Sequence, residues 1–188
     1  MAAPFEIVAA PLTVWVAPVG TAFPATNAAP AVAWILLGTS GNKNYGEGGV
    51  TVTHDSTEAT FTPAGGTAPR KAWRTNEALT ISFDLVDLTP EQYAKVLGDA
   101  VVTTTVGPPA TKDIPLLQGL TVKTLALVAR GTSPVNDALP SQYQVPMCYQ
   151  AANPSLVYSK GAPAMLACSF VALEDPTLGF GKLLLQTA

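Results

Sequence analysis

One stretch restricts the possible folds more than any other: ALTISFDLVDLTPEQYAKVLG, from Ala78 to Gly98. Leu79, Ile81, Phe83 and Leu85 alternate with Thr80, Ser82 and Asp84, the two-residue period of a strand with one buried face. Then the rule changes. Thr89 stands where an N-cap would accept backbone N–H bonds, Pro90 suits the first helical position, and Gln92 would complete a capping box. Tyr93, Val96 and Leu97 form a short apolar stripe, and Gly98 can end a helix left-handed. The spacing predicts a half-buried strand running straight into one short helix laid on the sheet, with Thr89, Tyr93, Val96 and Leu97 as its packing residues.

The remaining segments read as strands and loops. Phe5 to Ala17 is extended, with Leu12, Val14 and Val16 on one face, Thr13 and Trp15 on the other, and Pro18-Val19-Gly20 as a closing turn. Residues 21–30 are an Ala/Pro-rich connection, and Ala33 to Leu37 is a short buried strand that Gly38 ends. Thr39 to Gly49 is polar and glycine-rich, a flexible loop by composition. Val50 to His54 and Thr57 to Thr62 alternate around Asp55-Ser56, which predicts a hairpin there. Ala64 to Pro69 is turn-rich, and Thr103 to Asp113 reads as an exposed loop. Leu120 to Ala129 alternates with a slip of phase at Lys123-Thr124, the mark of a bulge.

Gln142 to Gln150 sets Tyr143, Val145, Met147 and Tyr149 opposite three glutamines, and Pro146 argues for a sheet edge or a bulge. Met165 to Leu173 is apolar on both faces. Leu178 to Leu185 is a last strand or a docking tail. About eight strands and one helix predict a mainly β fold, an antiparallel β-sandwich or barrel with one short α-helix packed on it. A single domain is expected over residues 1–188, with Gly41–Arg74 projecting as a long hairpin loop and 178–188 as a C-terminal tail.

Charge then narrows the function. Only 12% of residues are charged, against roughly 25% in an ordinary soluble domain. So much uncharged surface points to contact with a partner, and hence to an obligate assembly. A net charge of −3 gives no electrostatic reason to hold nucleic acid, which needs clustered Lys and Arg. Arg70, Lys71 and Arg74 flank Trp73, and the group reads as a strand end or interface edge rather than a nucleic-acid site. The N-terminus is apolar without a basic region and is broken by Pro4, Pro11 and Pro18, so neither a signal peptide nor a membrane span is expected.

Catalytic templates fail one after another. His54 is the one histidine, and it lies in a strand-like run beside Asp55 with no Ser or Cys motif. There is no HExxH, GxSxG or phosphate-binding glycine loop. Too few His, Cys and carboxylate groups are present to build a zinc cage, so no metal or other cofactor is expected. Glu174-Asp175 reads as a turn before Pro176. Cys148 and Cys168 lie in apolar runs as buried thiols, and a disulfide between them requires that their strands be neighbours. No enzyme is expected.

Three stretches together carry a resemblance. VWVAPVGTAFP (Val14 to Pro24), AWILLGTSGNKNYGEGGVTVTHDS (Ala33 to Ser56) and the strand–DLT–PEQY–helix unit (Leu79 to Gly98) follow one another in order. They resemble the N-terminal strand and turn, the "W-x-x-LG" strand with its glycine-rich loop, and the sheet-to-helix junction of the major tail tube proteins of long-tailed bacteriophages. The matches cover about the first hundred residues.

The resemblance implies a structural virion protein that polymerises as stacked hexameric rings into a tail tube, the conduit for genome delivery. Its implied partners are further copies of itself, the tape measure protein, the tail terminator and distal tail proteins, with DNA only passing through. Its implied place is the virion tail, after assembly in the host cytoplasm, and the N-terminal match favours a non-contractile, siphophage-like tail. Gly46, Gly49, Val50, Val52 and Phe61 are then candidates for contacts between rings, and Glu47, Asp55, Glu58 and Asp84 for the lumen. The competing readings are a capsid decoration or tail-terminator protein with a similar core, and a secreted β-sandwich binding module. The last would use Trp15, Trp34 and Trp73, but it expects an export signal.

Overall fold

A computed structural model describes residues 10–98, 100–135, 138–152 and 156–187. Among them the chain is mainly β, with 44% strand and 6% helix. The strands are β1 (Thr13–Pro18), β2 (Ile35–Leu36), β3 (Thr51–Phe61), β4 (Lys71–Leu85), β5 (Thr103–Thr105), β6 (Thr111–Asp113), β7 (Thr124–Thr132), β8 (Pro140–Gln150), β9 (Leu166–Ala172) and β10 (Lys182–Leu185). One short helix, α1 (Pro90–Val96), follows β4. The main sheet is antiparallel, in the order β2-β1-β7-β8-β9-β4-β3, and β10 joins it beside β8. β5 and β6 form a separate small hairpin.

The sheet curls around one apolar core because each strand offers one apolar face. Val14 and Val16 from β1, Leu127 and Ala129 from β7, Leu79, Ile81, Phe83 and Leu85 from β4, and Leu166, Cys168 and Phe170 from β9 all lie in it. Tyr45 closes the seam between the two ends of the sheet. Its backbone bridges to Leu85 of β4, while its hydroxyl accepts from Val14 N (3.0 Å) and donates to Leu37 O (2.9 Å) near β1. The predicted flexible loop at 39–49 is therefore a correction. It holds a single 3-10 turn (Gly41–Asn44) and buries Tyr45, because that aromatic ring fills the core against Phe83 at 4.6 Å between centroids.

A second, smaller cluster lies on the other face, where Ala17, Trp34, Ala126 and Val128 meet Trp15 and Phe23. Residues 21–33 cross this face as a strap. Arg130 donates to Ala28 O (2.6 Å) and Ala25 O (3.0 Å), and the buried Gln142 donates to Pro24 O (2.8 Å). Gln142 also accepts from Arg130 Nη2 at 2.6 Å. The strap has few strand hydrogen bonds of its own, so these side chains satisfy carbonyls that water would otherwise have to reach.

Helix packing agrees with the sequence: Val96 and Leu97 are buried and Tyr93 packs on the core. Its predicted cap does not form as expected. Thr89 makes no side-chain cap bond, and Gln92 turns away from the helix terminus to accept from Gly38 N (3.0 Å) and donate to Leu36 O (3.3 Å). β2 is two residues long with an open edge, and the amide of Gln92 offers it the acceptor and donor that a neighbouring strand would supply.

Pro146 lies in a central strand and not at an edge, but at a bulge, as one of its two expected settings. Leu125 pairs with Cys148 and Leu127 with Val145, so Pro146 and Met147 together oppose Ala126. The missing N–H of Pro146 falls where β8 exchanges β10 (paired with 141–144) for β9 (paired with 148–150). The bulge shifts the phase, so Cys148 faces the core in place of Met147. β7 begins at Thr124, and the extra residue expected at Lys123-Thr124 lies instead on β8, opposite Ala126 two residues further on, while Leu120 is exposed.

Candidate assembly surface

The predicted hairpin around Asp55-Ser56 is corrected by register. Thr51 to Phe61 is one unbroken strand running antiparallel to β4, with Thr51 opposite Ser82 and Phe61 opposite Lys71, and the turn lies between them. On its other side β4 pairs with β9 only as far as Thr80. Beyond that level β3 and β4 continue alone as a two-stranded ribbon. At about 3.3 Å per residue, the stretch from Lys71 to Ala78 spans roughly 25 Å. The projection is shorter than predicted, because Gly41 to Val52 packs on the body.

A bulge decides which side chains the ribbon presents. Thr57 opposes Asn76, yet Glu58 opposes Arg74, which leaves Thr75 as the extra residue. The Thr75 hydroxyl donates to Thr57 O at 3.0 Å. Strict alternation would set Trp73 on the face of Glu77 and Leu79. The bulge moves it to the reverse face, opposite Ala59 and beside Phe61, and brings Arg74 opposite Glu58. Trp73 is 45% exposed and Phe61 55%. On the other face Arg74 Nη1 donates to Glu77 at 2.6 Å and Arg74 Nε lies 3.9 Å from Glu58. These ion pairs are exposed and add little stability. The tip thus sets Trp73 and Phe61, with Lys71 across from Phe61, on one side and the Arg74–Glu58–Glu77 group on the other.

Nearer the body, the reverse face carries Thr51, Thr53 and Thr57 on β3, with Asn76, Thr80 and Ser82 across from them. Asp55 and Asp84 share this face roughly 20 Å apart along the strands, so two of the four lumen candidates lie on one hydroxyl-rich surface. Glu58 points from the opposite face, and Glu47 lies exposed in the turn before β3. Among the ring-contact candidates only Phe61 stands at the tip. Gly46 donates to Asp84 O at 2.8 Å, and a Cβ on it would meet Asp84 and Met165 at 3.3 Å. Gly49 turns the chain into β3 with φ +62°. Val50 and Val52 are partly buried on the core. Trp73, which the sequence placed in a group read as a strand end or interface edge, is the larger exposed apolar group.

Little chemistry converges elsewhere. Among the described residues no three His, Cys, Asp or Glu side chains meet in a group that could hold a metal ion. Asp175 accepts from Thr177 N and Leu178 N, both at 2.8 Å, the turn that its sequence implied. Cys148 and Cys168 are free and buried, and burial pushes each thiol up to about 12, so neither is a thiolate at neutral pH. No described helix is long and apolar enough to cross a membrane. No protein-family model matches the chain, and no curated protein is similar to it.

Proposed function

We propose that the chain is a structural virion protein that polymerises as stacked hexameric rings into the tail tube of a long-tailed phage. The observation that carries the reading is the ribbon: it projects from the body, has open edges, and ends in an exposed Trp73–Phe61 pair. An isolated two-stranded ribbon is marginal in water, so this one gains its stability from a neighbouring subunit. The contact between rings falls on Phe61 and Trp73 rather than on Gly46 or Gly49.

The hydroxyl-rich face with Asp55 and Asp84 suits a lumen wall. Serine and threonine offer hydroxyls to water. Lys71, the cation that register places on this face, stands at the tip away from Asp55 and Asp84, where it would hold passing DNA little. In this reading the tape measure protein occupies that lumen until DNA passes, and the tail terminator and distal tail proteins close the two ends. Catalysis has no part in it.

Negative-stain microscopy of the purified protein tests the proposal. The expected result is tubes or rings of uniform diameter from the intact chain. Replacing residues 56–77 by a two-residue Asn-Gly turn, which keeps the Asp55–Ala78 pair, should leave a folded protein that forms no tubes. Monodisperse monomers of the intact chain would overturn the reading, and tubes from the shortened chain would remove the ribbon from it.

A further inference from the structure

Between α1 and β7 the chain runs out as an arm, residues 100–122, that contains the β5–β6 hairpin. Ala100 N donates to Ala94 O at 3.1 Å, Lys112 pairs with Glu91, and Gln118, Gly119, Thr121 and Val122 line a cleft with the end of α1. Yet the arm is strongly apolar. Leu116 is 71% exposed, Leu117 88%, and Leu120 wholly so, and Val101, Val106 and Val122 are also exposed. Lys112 and Asp113 are its only charged residues. A surface segment that stayed in water alone would not combine so many large apolar side chains with so little charge.

A matching recess lies elsewhere on the same molecule. It sits between β10 and the base of the ribbon and measures about 310 Å³. Leu79 and Val145, both buried, are among its lining residues, with Tyr143, Phe180 and Leu183 around them and His54 beside them. β10 pairs with β8 on one side, and Leu183 and Leu185 remain exposed. The arm and the recess are both open in one molecule, so neither covers the other within a chain.

We infer that the arm docks on a second copy of this chain, with Leu116 and Leu117 entering the recess and Leu120 lying against Leu183. Buried area supports a copy of the chain as the occupant. At on the order of 100 Å² per large apolar side chain, the arm alone removes roughly 600 Å² from water. With a comparable area on the recess side, the contact totals roughly 1,200 Å², the lower end of specific stable interfaces. The near absence of charge on the arm argues against an acidic or nucleic-acid partner. Arm and recess are different surfaces, so the contact is head-to-tail and generates a ring or a filament. It uses neither Trp73 nor Phe61 and stands apart from the tube reading.

Disulfide trapping tests it, because both native cysteines are buried and introduced surface thiols are the reactive ones. A Leu120→Cys chain is co-expressed with a differently tagged Leu183→Cys chain and oxidised. The expected product carries both tags and is absent when either variant is expressed alone. Equal self-linking of Leu120→Cys would overturn the proposal in favour of arm against arm, and so would absence of any mixed product. In parallel, light scattering of Leu116→Ser/Leu117→Ser should show monomers with an unchanged far-ultraviolet spectrum, where the parent is oligomeric. A monomeric parent, or a variant as oligomeric as the parent, also overturns it. If the variant fails to fold, the trapping result decides. A mixed product without tubes in the microscope removes the tube reading and leaves this contact in place.

Discussion

Tyr45 joins the two ends of the curled sheet through a single hydroxyl. Burial pushes that hydroxyl up to about 12, even though the bond from Val14 N–H works in the opposite direction. It therefore stays protonated at neutral pH and keeps donating to Leu37 O. Tyr45→Phe preserves the ring packing on Phe83 but leaves Leu37 O and Val14 N without this partner. Each buried polar group so stranded costs about 1–3 kcal/mol. Urea unfolding should show a lower midpoint with an unchanged slope. A variant as stable as the parent would mean that the seam closes without this bond.

At the scale of elements, two joints carry specific expectations. Asp87 ties the start of α1 to the segment after β2, accepting from Thr39 N at 2.8 Å, from the Thr39 hydroxyl, and from Thr89 N at 3.2 Å. Partial burial tends to raise this carboxyl, but the bonds from Thr39 and Thr89 outweigh it and hold it below its ordinary value. A carboxyl depressed in the folded state stabilises above its unfolded value, about 3.9, and that contribution fades as pH falls through the lower folded value. Asp87→Asn should melt below the parent at pH 7, and the gap should narrow as pH falls below about 3.9. A gap that persists in acid would show that charge is not the source.

The second joint is the bulge. Deleting Thr75 should remove the bulge and leave one-to-one pairing, with Trp73 still opposite Ala59 and on the face of Phe61. Because this part of the ribbon is exposed, thermal melting should change little. Polymerisation, in the proposed reading, should survive the deletion and be lost in Trp73→Ser. Tubes of normal length from Trp73→Ser would show that Trp73 makes no contact between rings.

For the whole molecule, low charge and exposed apolar side chains put the proposed assembly on apolar contact and strand edges. Exposed ion pairs contribute little and are screened by salt, whereas apolar burial is not weakened that way. Assembled particles should therefore persist in molar sodium chloride when followed by light scattering. Dissociation by salt alone would place the cohesion in charge pairs such as those around Arg74.

Local pattern determined much of this protein. The alternation from Leu79 to Leu85, the apolar stripe of Tyr93, Val96 and Leu97, and the phase of Val14 and Val16 could each be read because a strand or helix repeats its environment every two or three to four residues. The hydroxyl-rich face was legible in the same way, in Thr80, Ser82 and Asp84. What only the tertiary structure decided were breaks in that periodicity and pairings across long distances. Alternation on β3 does not tell whether Asp55-Ser56 turns or runs on, since partner strands fix that. The extra residue at Thr75 leaves no signature in composition, yet it reverses Trp73. Tyr45 and Gln92 looked like a loop residue and a capping residue. Their roles come from backbone groups of distant segments that needed a donor and an acceptor, and such a need exists only once the sheet has curled.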